Sequence, residues 1–385
     1  MVKIWQVKIN FVLFNIAMCF FLTDCNSKPP IKLTNQGFLR LADSINIPID
    51  SLTIPNSNNS SFVDSFLIVP NDGLNSMSII NLKTFTTKRF DFSLLPNEVK
   101  MDAGWISSSD SIFIYDKKKS KIFLIDSSMQ LIDSFPTRPK EPGQKDLDVP
   151  SVGISSSQIP FVHGGTIYLS GVSLGENRPD EKKRFAIRAV SKEGVWGLAN
   201  FPEDYRGKNL GGLYYRIIQF AASDSLLYLS FPASAYVGIV NLNTGEATYR
   251  KLYPDVTKDI EPFGNNSTAS QLSADQNLIA EHYFSQYSFK EIIVDPYRKM
   301  IYRILSFPAK ENDIENKRFG IQDTYILCYD QKLNYLGCTA LPPRTSTKHM
   351  FVDSKGLFIY QKRKDENNLF YYLFTFNDSF YKLPK

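Results

Sequence analysis

The chain has 385 residues, of which 43% are hydrophobic, 14% aromatic and 22% charged. This composition is typical of a folded globular protein and excludes a disordered or fibrous chain. The formal net charge of +5 is too small, in a chain of this length, to indicate a nucleic-acid-binding protein.

The N-terminal segment is predicted to be a secretory signal peptide, residues 1–24. Lys3 and Lys8 form a short basic region, and the apolar run Asn10–Leu22 follows them. This run is shorter than the roughly 20 residues that a membrane-spanning helix needs. We therefore expect export of the protein rather than a transmembrane helix.

Cys25 adds a lipidation motif to this segment. The sequence Leu22-Thr23-Asp24-Cys25 resembles a bacterial lipobox, in which a leucine three positions before a cysteine marks that cysteine for acylation and cleavage. Asp24 departs from the small residue that usually stands there. The prediction is a lipoprotein anchored at Cys25 in the bacterial cell envelope. The alternatives are a plain signal peptide with an incidental cysteine and an uncleaved membrane anchor.

The body of the chain is predicted to consist of β-strands, because runs of five or six apolar or aromatic residues alternate with polar turns. No stretch shows helical periodicity over three turns. The predicted strands are Phe66–Val69, Met77–Leu82, Thr86–Phe92, Ser111–Asp116, Lys121–Asp126, Gln130–Phe135, Thr166–Ser170, Phe185–Val190, Ser225–Phe231, Tyr236–Leu242, Ala247–Leu252, Leu278–Phe284, Phe289–Val294, Met300–Leu305, Tyr325–Tyr329, Tyr335–Leu341, Gly356–Gln361 and Phe370–Phe376.

The spacing of these strands predicts the architecture. Groups of three or four strands recur at roughly 45–60 residues, which is typical of propeller blades. Turn residues agree with hairpins: Gly245 supplies a positive φ, and Asp295-Pro296 favours a tight turn. We therefore predict an all-β fold, a β-propeller with six or seven blades of antiparallel strands. The alternative is a pair of β-sandwiches.

Three insertions between strands are the expected places for function, because binding residues concentrate on loops. They are Arg138–Gln158, Gly175–Arg184 and Glu203–Gly212.

Three segments carry a resemblance to a known family: Glu291–Arg303, with an Asp-Pro-Tyr-Arg turn before a Tyr-Arg strand, then Ile326–Gly337 and Phe351–Leu357. They resemble a Bacteroidetes-type lipoprotein family of unknown function with a TolB-like six-bladed propeller. The resemblance implies an envelope location and a propeller fold. It implies no established activity and no catalytic residue.

The same segment holds the candidates for ligand binding, Tyr297, Arg298, Tyr302 and Arg303. Adjacent strand residues point to opposite faces, so Arg303 can point inward and join two blades through carboxylates such as Asp295 or Glu291. The alternative is that the four residues present cationic and aromatic groups to a ligand at the channel mouth.

Cys328 and Cys338 lie in a predicted hairpin, Tyr325–Ala340, with its turn at Gln331–Asn334. They form a cross-strand disulfide only if their Cα atoms lie closer than about 7 Å. A disulfide and two buried thiols both remain open.

Catalytic and metal motifs find little support. His163-Gly164-Gly165 and Gly171–Gly175 match parts of an esterase motif, but no helix is predicted after Ser173. No two histidines have metal-ligand spacing, and no phosphate-binding glycine motif is present. We predict no catalytic residue, no metal and no cofactor.

The expected organisation is a signal peptide (1–24), a lipid-anchored linker (25–35) and a propeller domain (36–385). The expected function is binding of an envelope protein or a glycan, with the membrane as a further partner through the lipid anchor. The alternative is a propeller hydrolase or lyase that acts on an envelope or extracellular carbohydrate. A third reading is an assembly or sensor component of the envelope.

Overall fold

The structure is a computed structural model of the chain. It describes residues 33, 36–53, 60–96, 98–108, 110–138, 151–152, 159–172, 185–205, 208, 210, 214–256, 260–263, 275–319, 321–363, 365 and 367–377. Six antiparallel sheets follow one another along this part of the chain.

The sheets are the blades of a propeller. After β1 (Leu39–Pro48), blade 1 contains β2 (Ser61–Val63), β3 (Phe66–Asn71), β4 (Ser76–Asn81) and β5 (Thr87–Asp91). Blade 2 contains β6 (Ala103–Ser108), β7 (Ser111–Asp116), β8 (Lys121–Ile125) and β9 (Leu131–Pro136). Blade 3 contains β10 (Ser151–Val152), β11 (Phe161–His163), β12 (Thr166–Val172), β13 (Phe185–Val190) and β14 (Val195–Asn200).

The later blades follow the same pattern. Blade 4 contains β15 (Gln219–Ser223), β16 (Leu226–Ser230), β17 (Tyr236–Asn241) and β18 (Ala247–Lys251). Blade 5 contains β19 (Ser288–Asp295), β20 (Met300–Ser306), β21 (Thr324–Asp330) and β22 (Tyr335–Ala340). Blade 6 contains β23 (Thr345–Val352), β24 (Leu357–Gln361) and β25 (Asn368–Phe376). Two short helices, α1 (Gln276–Phe284) and α2 (Glu311–Glu315), lie in the connections on either side of the first two strands of blade 5.

The ring is closed by strands from both ends of the described domain. The strand β1 pairs with β25 along nearly its whole length, from Leu39 opposite Phe376 to Pro48 opposite Asn368. The fourth strand of blade 6 therefore comes from the N-terminal side of the domain. The predicted all-β propeller is confirmed, with six blades, and the pair of β-sandwiches is not observed.

The hydrophobic core lies between neighbouring blades. One cluster joins Trp105 and Phe113 of blade 2 to Ile167 and Leu169 of blade 3. Equivalent clusters join blade 1 to blade 2, blade 3 to blade 4, blade 5 to blade 6, and blade 6 to blade 1. Because burial of one large apolar side chain contributes about 1.5–3 kcal/mol, these contacts hold adjacent blades together.

The connections fall at two opposite ends of the channel, because consecutive strands are antiparallel. One end, the turn face, carries short hairpin turns at 64–65, 82–86, 109–110, 126–130, 164–165, 191–194, 224–225, 242–246, 296–299, 331–334 and 353–356. The other end, the long-loop face, carries the connections whose described residues include 49–53, 72–75, 92–96, 98–102, 117–120, 137–138, 201–205, 214–218, 231–235, 252–256, 275–287, 307–319, 321–323, 341–344 and 362–363.

One strand prediction is wrong. The segment Leu278–Phe284 belongs to α1 rather than to a strand. The Asp275 side chain caps this helix by accepting hydrogen bonds from the backbone amides of Asn277 and Leu278. Such a cap satisfies amides at the start of a helix, which favours the helix over an extended chain.

Candidate functional site

The turn Asp295–Arg298, which holds two of the sequence candidates, is an internal brace. Asp295 is fully buried, and its Oδ1 accepts hydrogen bonds from the backbone amides of Tyr297 and Arg298, both at 3.0 Å. Its Oδ2 accepts from the Arg298 guanidinium and from the Tyr302 hydroxyl, both at 2.9 Å. Arg298 also donates to the backbone carbonyls of Asp353 and Ser354. The turn therefore joins blade 5 to blade 6.

Arg303 joins blade 5 to blade 4. Its side chain is fully buried, and its guanidinium carbon lies 3.7 Å from the centre of the Phe289 ring. Burial lowers the pKa of Arg303 to about 10. The guanidinium donates to Ser230 Oγ at 2.9 Å and to the backbone carbonyls of Ser234 at 2.8 Å, Phe231 at 3.2 Å, Ala235 at 3.3 Å and Tyr236 at 3.4 Å.

The bracing partners of Arg303 differ from the carboxylates expected from the sequence. Asp295 instead bonds Arg298 and Tyr302, and no hydrogen bond or ion pair joins Glu291 to Arg303 among the described residues. Tyr302 is buried, and burial raises the pKa of its hydroxyl well above the usual value. Tyr297, with 56% of its surface exposed on the turn face, is the candidate that remains open to solvent.

Cys328 and Cys338 are both buried, and no disulfide joins them in the structure. The strand register pairs Cys328 with Gly337 and Cys338 with Leu327. Adjacent rungs place the two side chains on opposite faces of the sheet, so the disulfide considered from the sequence is not formed. Burial raises the pKa of the Cys328 thiol well above its usual range.

Several sequence predictions fall outside the described residues. They include Cys25 with the signal peptide, Ser173, all of Gly175–Arg184, most of Arg138–Gln158 and half of Glu203–Gly212.

Charged side chains meet near the long-loop end of the channel, on the first strands of blades 5 and 6. Each strand has a bulge there, between Phe289 and Ile292 in β19 and between Ser346 and Met350 in β23. A bulge breaks the alternation of side chains and redirects those within it. The bulges contain Lys290 and Glu291 in β19 and Thr347, Lys348 and His349 in β23.

Lys290 is held in place by a hydrogen bond. Its Nζ donates to Gln322 Oε1 at 3.1 Å, and the Gln322 amide in turn donates to the backbone carbonyl of Phe307. Burial lowers the pKa of Lys290, the charge of Glu291 opposes this effect, and the charges of Lys362 and Lys348 lower the pKa further. The charges of Lys348 and Lys362 therefore act on Lys290.

His349 lies in the same cationic environment. Its Nδ1 forms a hydrogen bond with the Ser60 hydroxyl, across the closure between blades 6 and 1. Burial and the charges of Lys348 and Lys362 lower the pKa of His349 to about 4. The imidazole is therefore neutral at neutral pH.

Glu291 is a buried carboxylate, and one of its oxygens accepts no hydrogen bond from the described residues. Its residue surface is 7% exposed, and its Oε2 has no hydrogen-bond partner among the described residues. The charge of Glu291 also affects Tyr283 of α1. Burial, together with this negative charge, raises the pKa of the Tyr283 hydroxyl to about 12. Tyr214, which is 41% exposed, stacks on Tyr283 with ring centres 4.8 Å apart.

The sequence analysis missed these residues, although one signal was present. Lys290 and Glu291 interrupt an otherwise apolar strand, and a charged pair inside a core strand indicates a bulge or a polar site. Lys348 lies on β23 and Lys362 directly follows β24, and their approach to Lys290 depends on the closed ring.

Within the described part of the chain, no helix is long and apolar enough to cross a membrane. No group of three or more His, Cys, Asp or Glu side chains in the same part of the chain is arranged to hold a metal ion.

Several solved structures are similar to this chain. A crystal structure of a DUF4221 family member from Bacteroides vulgatus is 16% identical, with a TM-score of 0.71 over 88% of this chain and 98% of that chain. A protein from Bacteroides fragilis is 10% identical, with a TM-score of 0.51 over 89% of this chain and 97% of that chain. A virginiamycin B lyase from Staphylococcus aureus is 12% identical, with a TM-score of 0.42 over 86% of this chain and 99% of that chain.

For the two Bacteroides proteins, similarity at these identities shows the fold alone. No curated protein matches the chain. The family model described as a domain of unknown function (DUF4221) matches residues 36–339, which is more than half of the chain. The resemblance found in the sequence to a propeller family of unknown function is thus confirmed, and the chain belongs to the DUF4221 family.

Proposed function

We propose that the protein is an envelope-anchored lipoprotein whose propeller binds a protein or glycan partner at its long-loop face. The observation that carries the proposal is the collection of charged groups at one end of the channel. The charges of Lys348, Lys362 and Glu291 all act on Lys290 there. Among the described residues, Glu291 Oε2 has no hydrogen-bond partner. Arg298 and Arg303, in contrast, donate hydrogen bonds to backbone carbonyls of neighbouring blades.

The position of the first described strand supports an orientation in which the long-loop face points away from the membrane. Just before β1, the backbone carbonyl of Phe38 accepts a hydrogen bond from the amide of Asn377, which follows β25 on the turn-face side. A tether that runs from Cys25 to this point would hold the turn face toward the membrane and the long-loop face away from it. Durable anchoring requires more than one acyl chain, because a single chain binds a membrane only marginally.

Site-specific photocrosslinking tests the proposal. A benzophenone amino acid replaces Ile321, which is 55% exposed next to Gln322 on the long-loop face, or Tyr297, which is 56% exposed on the turn face. Benzophenone inserts into C–H bonds, so it captures proteins and glycans alike. In intact cell envelopes we expect a discrete adduct from position 321 and none from position 297. Adducts from position 297 alone, or from neither position, would contradict a binding role for the long-loop face.

A further inference from the structure

The basic groups at the long-loop end of the propeller, Lys290, Lys348 and Lys362, form no ion pair with the acidic side chains of the described residues. Lys348 and Lys362 are exposed, and Lys290 is partly buried. Like charges held close together repel one another, and an anionic ligand would relieve this repulsion.

Glu291 gives a second and independent indication of a ligand. Buried carboxylate oxygens in folded proteins are almost always hydrogen-bonded, because an unsatisfied one is destabilising. The Oε2 of Glu291, in a residue that is 7% exposed, has no protein donor among the described residues. A ligand hydroxyl would supply the missing donor.

The stacked pair Tyr214 and Tyr283, of which Tyr283 is affected by the charge of Glu291, narrows the ligand class further. Tyr214 presents a partly exposed ring that is fixed by stacking on Tyr283. A flat ring of this kind packs well against the C–H face of a sugar, as rings do against other apolar surfaces. A ligand that combines anionic groups, hydroxyl donors and a weakly polar face is an acidic saccharide.

We propose that the long-loop end of the channel, between blades 5 and 6, binds a carboxylated saccharide. The ammonium groups of Lys290, Lys348 and Lys362 hold the carboxylates, and Glu291 accepts a hydrogen bond from a ring hydroxyl. This inference rests on the proposed binding function and names the ligand class of the same site.

Calorimetric titration of the full-length protein tests the inference, with trigalacturonate and a hyaluronan tetrasaccharide as carboxylated probes and maltotriose as a neutral one. We expect at least one carboxylated probe to bind, with an affinity that falls as salt is raised, and maltotriose to bind at least 10-fold more weakly. The double variant Lys348→Gln/Lys362→Gln should lose at least 10-fold in affinity. The matched turn-face variant Lys299→Gln/Lys355→Gln should bind like the unmodified protein.

A variant of Glu291 separates a binding role from a structural one. Glu291→Met removes a buried carboxylate without a full set of partners, so the melting temperature should rise while the affinity for the carboxylated saccharide falls several-fold. A residue that serves stability alone would lower the melting temperature when replaced.

The outcomes distinguish this inference from the proposed function. Absence of binding to both carboxylated probes, or equal binding of maltotriose, overturns the inference. If position 321 still gives a discrete adduct in envelopes, the proposed function stands with a ligand of another class. If no adduct forms either, both fail.

Discussion

At the scale of single residues, Arg303 is a buried cation that is stabilised by carbonyl dipoles and by one aromatic ring instead of a carboxylate. Several carbonyls of the connection between β16 and β17 turn toward its guanidinium. A planar guanidinium can donate to several acceptors in fixed directions, which a lysine ammonium cannot do. Arg303 therefore sets how blades 4 and 5 pack.

Replacement of Arg303 tests this role. Arg303→Lys leaves several buried carbonyls without donors, so the free energy of unfolding should fall by about 2–4 kcal/mol. Arg250 is the matched control, because it also joins blade 4 to blade 5, through the Lys332 carbonyl and Asn334, but is exposed. Arg250→Lys should lower the free energy of unfolding by less than about 1 kcal/mol in urea titrations. Equal losses for the two variants would contradict the assignment.

His349 predicts a pH dependence of stability. Its pKa is lowered from 6.5 to about 4 in the folded protein by burial and by Lys348 and Lys362. The unfolded chain therefore binds one more proton between these values, and the free energy of unfolding falls as pH drops from about 6.5 to 4. Because the side chain is partly exposed, we expect a loss of about 2 kcal/mol.

Unfolding titrations across this pH range check the prediction. His349→Gln should flatten the decline, whereas His163→Gln, which removes a histidine bonded to Asn243 on the turn face, should leave it in place. An unchanged slope in His349→Gln would show that other groups cause the decline.

At the scale of elements, the closing strand β1 carries a large share of the stability. Ile47 is fully buried against blade 1 and opposite Leu369, whereas Leu41 on the same strand is 49% exposed. Ile47→Ala should lower the free energy of unfolding by about 2–4 kcal/mol, and Leu41→Ala by less than about 1 kcal/mol. Thermal and urea unfolding measure both. Similar effects of the two variants would mean that the ring does not depend on closure through this strand.

The strands that the sequence did not reveal are mostly the first strands of blades. Middle strands such as Ser111–Asp116 and Phe185–Val190 were predicted at their observed bounds, because both faces are buried and the residues form apolar runs. The first strands β15 and β23 contain mainly small and polar residues, as in Gln219–Ser223, and give no apolar run to recognise. In β6 the large apolar residues are Trp105 and Ile106 alone, which is too short a run to predict a strand.

At the scale of the whole molecule, the turn face holds a brace between blades, and the long-loop face holds the proposed binding site. The sequence candidates of the turn 296–299 stood out because they are adjacent in sequence, and they belong to a brace. The charged groups of the long-loop end come from separate elements, β19, β23 and the residue after β24. Only the closed ring places Lys290, Lys348 and Lys362 near one another, so linear sequence could not indicate them.

The proposed tether predicts the orientation of the molecule. A fluorophore attached through Tyr297→Cys on the turn face should be quenched by brominated lipids in reconstituted vesicles. A fluorophore attached through Leu94→Cys, at a site 81% exposed on the long-loop face, should be quenched much less. Cys25→Ala should abolish membrane association and all quenching. Stronger quenching at position 94 would reverse the orientation.

The most direct test of the binding role is a lysine acetylation footprint, read by mass spectrometry, of the protein in intact envelopes and after purification. Lys348 and Lys362 on the long-loop face and Lys299 and Lys332 on the turn face are all exposed in the structure. We expect a resident ligand to protect Lys348 and Lys362 in envelopes. Purification in the presence of the same lipids should restore their reactivity, with that of Lys299 and Lys332 unchanged. Full reactivity of Lys348 and Lys362 in envelopes would contradict a binding site at this end of the channel.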